Sequence, residues 1–226
     1  MGSEMCIRDR SHPARSAVWW SGWRASRRQY RPPPGAACAW GRAVRRCDDV
    51  PVNRPTRLVT PDDAPAIANL LSDNRAFLAP FEPVRDTVYY TVGGQREVIR
   101  AALHEHAAGR CLPHVVLDDS DGVVGRITLN GIVRGPFQSC SVGYWLAERA
   151  TGRGLATAAV REMKRVAFEE LGLHRVEAAT LVHNTASQRV LGRNGFVRFG
   201  LAPKYLHIAG AWRDHLMFQA LNPAAG

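Results

Sequence analysis

The chain has 226 residues, room for one domain with an extension, and a formal net charge of +10 from 30 basic and 20 acidic side chains. The charge is uneven: residues 1–54 hold eleven arginines against four acids, a net of +7, which leaves +3 for all the rest. A body so near neutrality argues against a nucleic-acid-binding domain; no run reaches the roughly eighteen apolar residues of a membrane span, and the five cysteines show neither metal-ligand spacing nor a disulfide pattern. The setting this predicts is reducing and cytoplasmic.

In chain order, residues 1–54 come first and show no hydrophobic period. "SAVWWSGW" (16–23) is too short and too closely flanked by arginine for a secretory signal. "RPPPG" and "VPVNRP" are breakers. Met5-Cys6-Ile7-Arg8-Asp9, preceded by Gly2-Ser3-Glu4, resembles a translated transposase-end sequencing adapter. Residues 1–54 are therefore expected to be an unstructured, artefactual extension, with a genuine basic tail for nucleic acid as the alternative. The domain is expected over residues 55–222, and residues 223–226 are a short tail.

Within that domain "TRLVT" reads as a strand and "PDDAPAIANLLSD" as a helix, with Pro61 in its first turn and Ala66, Ile67, Leu70 and Leu71 at helical spacing. "NRAFLAPFEPVRD" reads as a loop. "GGQREVIRAALHEHAAG" is a second helix closed by Gly109. "PHVVLDDSDGVVGRITLNGIV" gives two strands around an Asp-Ser-Asp-Gly turn, and "SCSVGYWLA" a third. One long helix is expected from the glycines at 152 and 154 to Gly172. "HRVEAATLV" reads as a strand apolar on both faces, as in a covered sheet. "NTASQRVLGRNG" is a helix opened by Asn184, and two strands close the chain. The order β-α-α-β-β-β-α-β-α-β-β makes this an α/β fold.

The stretch "VGYWLAERATGRGLATAAV" carries the chemistry. A strand runs through Arg149-Ala150-Thr151-Gly152-Arg153-Gly154 straight into a helix. Glycines in such a turn let backbone approach a ligand, and the free N–H groups of a helix start suit a phosphate. A glycine-rich turn that merely starts a helix is the alternative. No Gly-Lys-Ser/Thr ending follows, so a P-loop is excluded, and the dinucleotide-binding fingerprint lacks its βαβ unit and acid.

R-x-x-G-x-G between the fourth strand and its helix, in this order of elements, resembles the GNAT family of acetyl-CoA-dependent N-acetyltransferases. The segments "NRAFLAPFEPVRD", "IVRGPFQSCSVGYWL", "LHRVEAATLVHNTASQRVLGRNGF" and "YLHIAGAWRDH" look like its ribosomal-protein alanine N-acetyltransferase branch. The resemblance runs from about residue 56 to 222. It implies a single GNAT-type domain with a mixed, mostly antiparallel sheet flanked by helices.

The resemblance also implies direct acetyl transfer from acetyl-CoA to an amine. Gly152, Arg153, Gly154, Leu155 and Ala156 would hold the CoA pyrophosphate by their N–H groups, with side-chain charge from Arg149 and Arg153 or with those arginines merely solvated. Trp145, Leu146 and Ala147 would pair with the pantetheine arm, or simply pack. Asn184 would touch CoA as well as cap its helix, and Ser187 would protonate the leaving thiolate, because Leu191 stands where many relatives have a tyrosine. The general base is open among Glu82, Glu177 and Asp214, with Glu82 favoured because the resemblance sets its loop beside the acceptor. Asn74, Arg75, Phe81 and Arg85 would shape the acceptor pocket, with Tyr205, Trp212 and His215 as helpers or core residues. No metal site is expected. The expected acceptor is a protein N-terminus, foremost a ribosomal protein's N-terminal alanine. A small-molecule amine or a catalytically silent acyl-CoA-binding domain are the alternatives. Membrane partners are not expected, and a monomer or a homodimer is.

Overall fold

The structure, a computed structural model, describes residues 54–224. The expectations for the adapter-like start and the extension lie outside the described residues, Arg54 apart. Strand β1 (Thr56–Leu58) leads into a tight turn, Pro61–Asp63, where Thr60 and Asp63 form a capping box. Asp63 also accepts two hydrogen bonds from Arg57, at 2.7 and 2.8 Å, which fastens the strand to the helix that follows. That helix, α1 (Ala64–Asp73), buries Ile67 and Leu71 completely. Burying such a side chain contributes about 1.5–3 kcal/mol, so the stripe at helical spacing drives the docking.

The segment expected as a loop starts instead with a short helix, α2 (Arg75–Leu78), and a 3-10 turn, Ala79–Phe81. Pro80 lies at the start of that turn, where its missing N–H costs nothing. Leu78 is buried and anchors the segment. Helix α3 (Val92–Ala107) is capped by Thr91, whose Oγ1 accepts from Gly94 N–H. Strands β2 (Leu112–Leu117) and β3 (Val123–Val133) meet at the predicted turn, where the Asp118 carboxylate accepts from the N–H groups of Ser120 and Gly122.

Then come β4 (Ser139–Leu146), α4 (Leu155–Arg165), β5 (Arg175–Leu181), α5 (Thr185–Arg193), β6 (Val197–Ile208) and β7 (Ala211–Leu221). The single long helix expected after the glycines ends at Arg165 and passes into a π-helical turn, Val166–Glu170. Among the described residues seven strands form one sheet in the order β1-β2-β3-β4-β5-β7-β6, parallel between β4 and β5 and antiparallel elsewhere. This is the mixed, mostly antiparallel sheet that was expected.

Each face has its own core. Ala159, Val160 and Met163 of α4 pack on Ile127, Leu129, Val142 and Val176. On the other face, Ile67, Leu71 and Ile99 from α1 and α3 pack on Val115, Leu117 and Trp145. That second layer covers β1 to β4 only. In β5, Val176 and Ala178 are buried while Arg175, Glu177 and Ala179 are half-buried, so the strand expected to be covered on both faces has one open face. Among the described residues no helix is long and apolar enough to cross a membrane, and no three His, Cys, Asp or Glu side chains gather as a metal site.

Candidate active site

Strands β4 and β5 pair only from Ser139 to Ser141 and from Arg175 to Glu177. Both continue further, so they part, and beyond Ser141 the β5-facing edge of β4 has no strand beside it among the described residues. The pleat decides which backbone groups face that gap. Ala147 N–H donates to Val124 O at 2.9 Å, and a Cβ built on Gly125 would lie 2.2 Å from Trp145 O. Residues 145 and 147 therefore turn their backbone toward β3, and the alternation points Tyr144 and Leu146 into the gap. Of the three strand-end residues expected along a pantetheine arm, Leu146 alone has its backbone there. Trp145 instead buries its ring in the core beneath α1 and α3.

The loop after β4 bends through Gly152 at φ +75° and Gly154 at φ +82°, conformations that disfavour any residue with a Cβ. A Cβ on either would meet no atom within 4 Å, so this side of the loop is open. Gly154 is the N-cap of α4, no side chain caps the helix, and the first helical bond runs from Ala158 N–H to Gly154 O. The N–H groups of Leu155, Ala156 and Thr157 are thus left without helical partners at the positive end of the dipole. A phosphate group fits this arrangement of donors.

A cavity of about 170 Å³ joins the gap to the loop. Of the residues expected at the CoA site, Leu146, Gly152, Gly154, Leu155, Ala156 and Ser187 line it. Arg149, Arg153 and Asn184 do not. Arg149 is exposed, and Arg153 reaches Asp119 at 3.3 Å on the surface. Asn184 Oδ1 accepts from Ser187 N–H at 3.1 Å as the cap of α5, while its Nδ2 is buried without a hydrogen-bond partner among the described residues. Leu191 is fully buried in the core and does not line the cavity.

Among the further lining residues, Phe77, Tyr144, Arg189 and Arg193 escaped the sequence reading. Phe77 sits on α2, which was read as loop. The arginines had a signal: with Ala186 and Val190 they fall at helical spacing along one face of α5. Tyr144 also had one, since it lies two residues before Leu146 in a strand. Its Oη is 2.8 Å from Ser187 Oγ, and both residues are buried. Burial pushes the Tyr144 phenol up to about 12, against the opposing effect of the Ser187 hydrogen bond.

The acceptor-side residues lie elsewhere. Asn74 is committed at both ends: Nδ2 donates to Leu70 O and Oδ1 accepts from Glu148 N–H, each at 2.8 Å. It joins the end of α1 to the loop after β4. Arg75 stacks over Tyr90 and Arg85 over Tyr89, at 4.5 and 4.8 Å. The Phe81 ring lies 6.0 Å from that of His183. Glu82 is buried, and its carbonyl accepts from Ala209 N–H, which ties this segment to the β6–β7 turn.

A second cavity, about 140 Å³, opens where β4 and β5 part, on the uncovered face; Asn130, Ser141, Glu177, Tyr205 and Leu206 are among its walls. Glu177 Oε1 lies 3.1 Å from Arg175 Nη1. Asp214 Oδ1 accepts from Lys204 N–H, and His215 is buried while Trp212 is largely exposed.

A parted pair of strands beside a glycine loop and a bare helix start can be compared with known proteins. Residues 56–197 match the family model described as the acetyltransferase (GNAT) domain. The chain belongs to the GNAT acetyltransferase family. As a GNAT protein it is 38% identical over 162 residues to the probable N-acetyltransferase YjcK of Bacillus subtilis, covering 71% of this chain and 90% of that one. It is 34% identical over 172 residues to the ribosomal protein uS5-alanine N-acetyltransferase of Escherichia coli, covering 74% and 87%. Among solved structures it resembles Mycobacterium smegmatis RimJ in complex with CoA-disulfide, with a TM-score of 0.72, 34% identity and coverage of 75% and 82%.

Proposed function

We propose that this GNAT protein transfers the acetyl group of acetyl-CoA directly to the N-terminal amine of a protein, with an N-terminal alanine of a ribosomal protein as the leading acceptor. The observation that carries the reading is one continuous cavity that runs from the free edge of β4, past Ser187, to the open N–H groups of Leu155, Ala156 and Thr157. An extended amide-bearing arm suits the strand edge, and a pyrophosphate suits the helix start. The E. coli relative that acetylates the alanine of uS5 supports the choice of acceptor.

Acetyl-CoA brings the activated acetyl group; the chain binds it, orients it and handles protons. The backbone N–H groups of Leu146 and Tyr144 face the gap and polarise the thioester carbonyl. An α-amine with a pKa near ~8 is partly neutral at pH 7, so the base need only pass its proton to water. Glu82 is assigned that role, with Glu177 as the competing carboxylate because it lines the cavity on the opposite face. Ser187 directs its O–H at the departing sulfur. Arg189 and Arg193 supply positive charge to the CoA phosphates, and Phe81, Arg75 and Arg85 border the acceptor.

The test is an Ala-initiated peptide incubated with acetyl-CoA. The expected result is one acetyl group on the terminal nitrogen and an equal release of thiol. Turnover with small amines but with no such peptide would move the assignment to a small-molecule acetyltransferase. CoA binding without turnover on either panel would leave a silent acyl-CoA-binding domain. For the base, Glu82→Gln is expected to lower kcat about 10²-fold at pH 7, within the usual range for general-base loss, and Glu177→Gln much less. The reverse order would transfer the role to Glu177.

A further inference from the structure

The geometry points to Tyr144 as a positioning residue for Ser187, one that fixes the serine hydroxyl proton toward the sulfur of the acetyl donor. This rests on the reading of Ser187 given above.

The Tyr144 side chain leaves β4 on the cavity face and ends 2.8 Å from Ser187 Oγ and 3.4 Å from Ser187 O. Both neighbours of the phenol can accept, and the carbonyl can only accept. A serine hydroxyl has one proton and two lone-pair sites, so its partners determine where the proton goes. If Ser187 donated to Tyr144, its proton would be spent on the phenol and none would face the cavity. Burial keeps the phenol protonated, with its ionisation raised to about 12; either hydroxyl can supply the proton across the 2.8 Å contact, and the proposal is that Tyr144 supplies it. The Ser187 O–H is then released toward the cavity that both residues line.

Ser187 is fixed from a second side as well, because its N–H is held by Asn184 Oδ1. The hydroxyl is therefore placed by a strand and a helix together. Leu191, at the position where many relatives carry a tyrosine, is fully buried and off the cavity. The phenol at this site comes from β4 instead, and it acts through Ser187 rather than on the donor.

In the step this serves, the amine nitrogen bonds to the acetyl carbon and loses a proton to water. The carbon–sulfur bond breaks, and the sulfur leaves with the electron pair. Ser187 O–H stabilises that thiolate by a hydrogen bond, and water then protonates it. Neither Ser187 nor Tyr144 is ionised at the end.

The experiment reads the sulfur directly in the complex with CoA. The far-ultraviolet absorbance of the thiolate is followed through a pH titration of CoA bound to the wild type, Tyr144→Phe, Ser187→Ala and the double variant. The cationic groups lining this cavity, Arg189 and Arg193, are the same in all four. We expect the bound thiol's pKa to rise by about one unit in each single variant and no further in the double, the size of one charge-assisted hydrogen bond. With acetyl-CoA and the Ala-initiated peptide, kcat should fall about tenfold in each, with KM for acetyl-CoA little changed.

Equal effects of Tyr144→Phe in the presence and absence of Ser187 would overturn the inference, as would a thiol pKa that Tyr144→Phe leaves unmoved. If Ser187→Ala leaves both thiol pKa and kcat unmoved, it is the underlying assignment of Ser187 that fails. Should Tyr144→Phe melt early, Tyr144→Leu, which also lacks the hydroxyl, gives the same comparison in a repacked core.

Discussion

At the scale of single residues, conformation and chemistry meet at Gly154. Its left-handed backbone is what turns the chain from β4 into α4, and a Cβ there would meet no atom within 4 Å, so that side of the loop is open. Gly154→Ala tests the first property: an L-residue in this conformation costs about 1–2 kcal/mol, with a matching drop in melting temperature and a modest loss of CoA affinity. Gly154→Glu tests both, because a carboxylate then stands where the proposed function puts the CoA phosphate. CoA affinity measured by calorimetry should fall by roughly a hundredfold or more, of order 3 kcal/mol, beyond any loss in the Ala variant. Equal affinities for the two variants would remove the phosphate assignment from this loop.

At the scale of elements, the cavity depends on how α4 and α5 are held beside each other. Asn194, just past the end of α5, is buried and donates to Thr157 O of α4 at 3.2 Å and to Val190 O at 2.9 Å. Lys164 of α4 returns the contact by donating to Asn194 O at 2.5 Å. These bonds place the helix start that offers N–H groups opposite the helix that carries Ser187, Arg189 and Arg193. Asn194→Ala removes a donor from the half-buried Thr157 and Val190 carbonyls, which costs about 1 kcal/mol of stability. Because the two helix surfaces then separate, KM for acetyl-CoA should rise together with the loss in melting temperature. A variant with lowered stability and unchanged KM would show that the helices are set by packing alone.

For the whole molecule, stability toward acid is written into the sheet. His114 on β2 stands beside Thr56 of β1, its Nδ1 3.1 Å from Thr56 Oγ1. Burial, reinforced by the nearby His106, lowers its pKa to about 4 from an ordinary value near 6.5. The folded state therefore binds fewer protons than the unfolded chain between those values. The stabilisation from neutral His114 is complete above about pH 6.5 and is lost as the pH falls through about 4. Melting temperatures between pH 7 and 4 should decline, and His114→Gln should flatten that decline. An unchanged slope would mean that other groups dominate. Asp63 adds to the acid side. Burial raises its pKa, but the bonds from Arg57 and Thr60 outweigh that and hold it below its usual value, so its contribution too is lost on acidification.

Much of this protein was legible in the sequence. Helical spacing in residues 64–73, the glycines flanking Arg153, the Asp118 turn and the order of strands and helices identified the sheet and the loop, because they depend on local backbone preference and on hydrophobic period. Residues 75–81 were misread because the stretch 74–86 around them, with two prolines and mixed charge, looks like a loop, whereas Leu78 finds a buried site that secures one helical turn. Which strand-end residue faces the gap was also hidden. It depends on the register of β4 against β3, fixed by pairs more than twenty residues apart at Gly125 and Leu146. The same holds for the open face of β5, set by where the α1–α3 layer stops. The sequence by itself determined most of the elements, their order and the glycine turn that opens α4, since each is decided within a few neighbours. Only the tertiary structure brought Tyr144 to Ser187 across 43 residues, because a hydrogen bond between two buried hydroxyls is decided by how a strand and a helix pack and not by either alone.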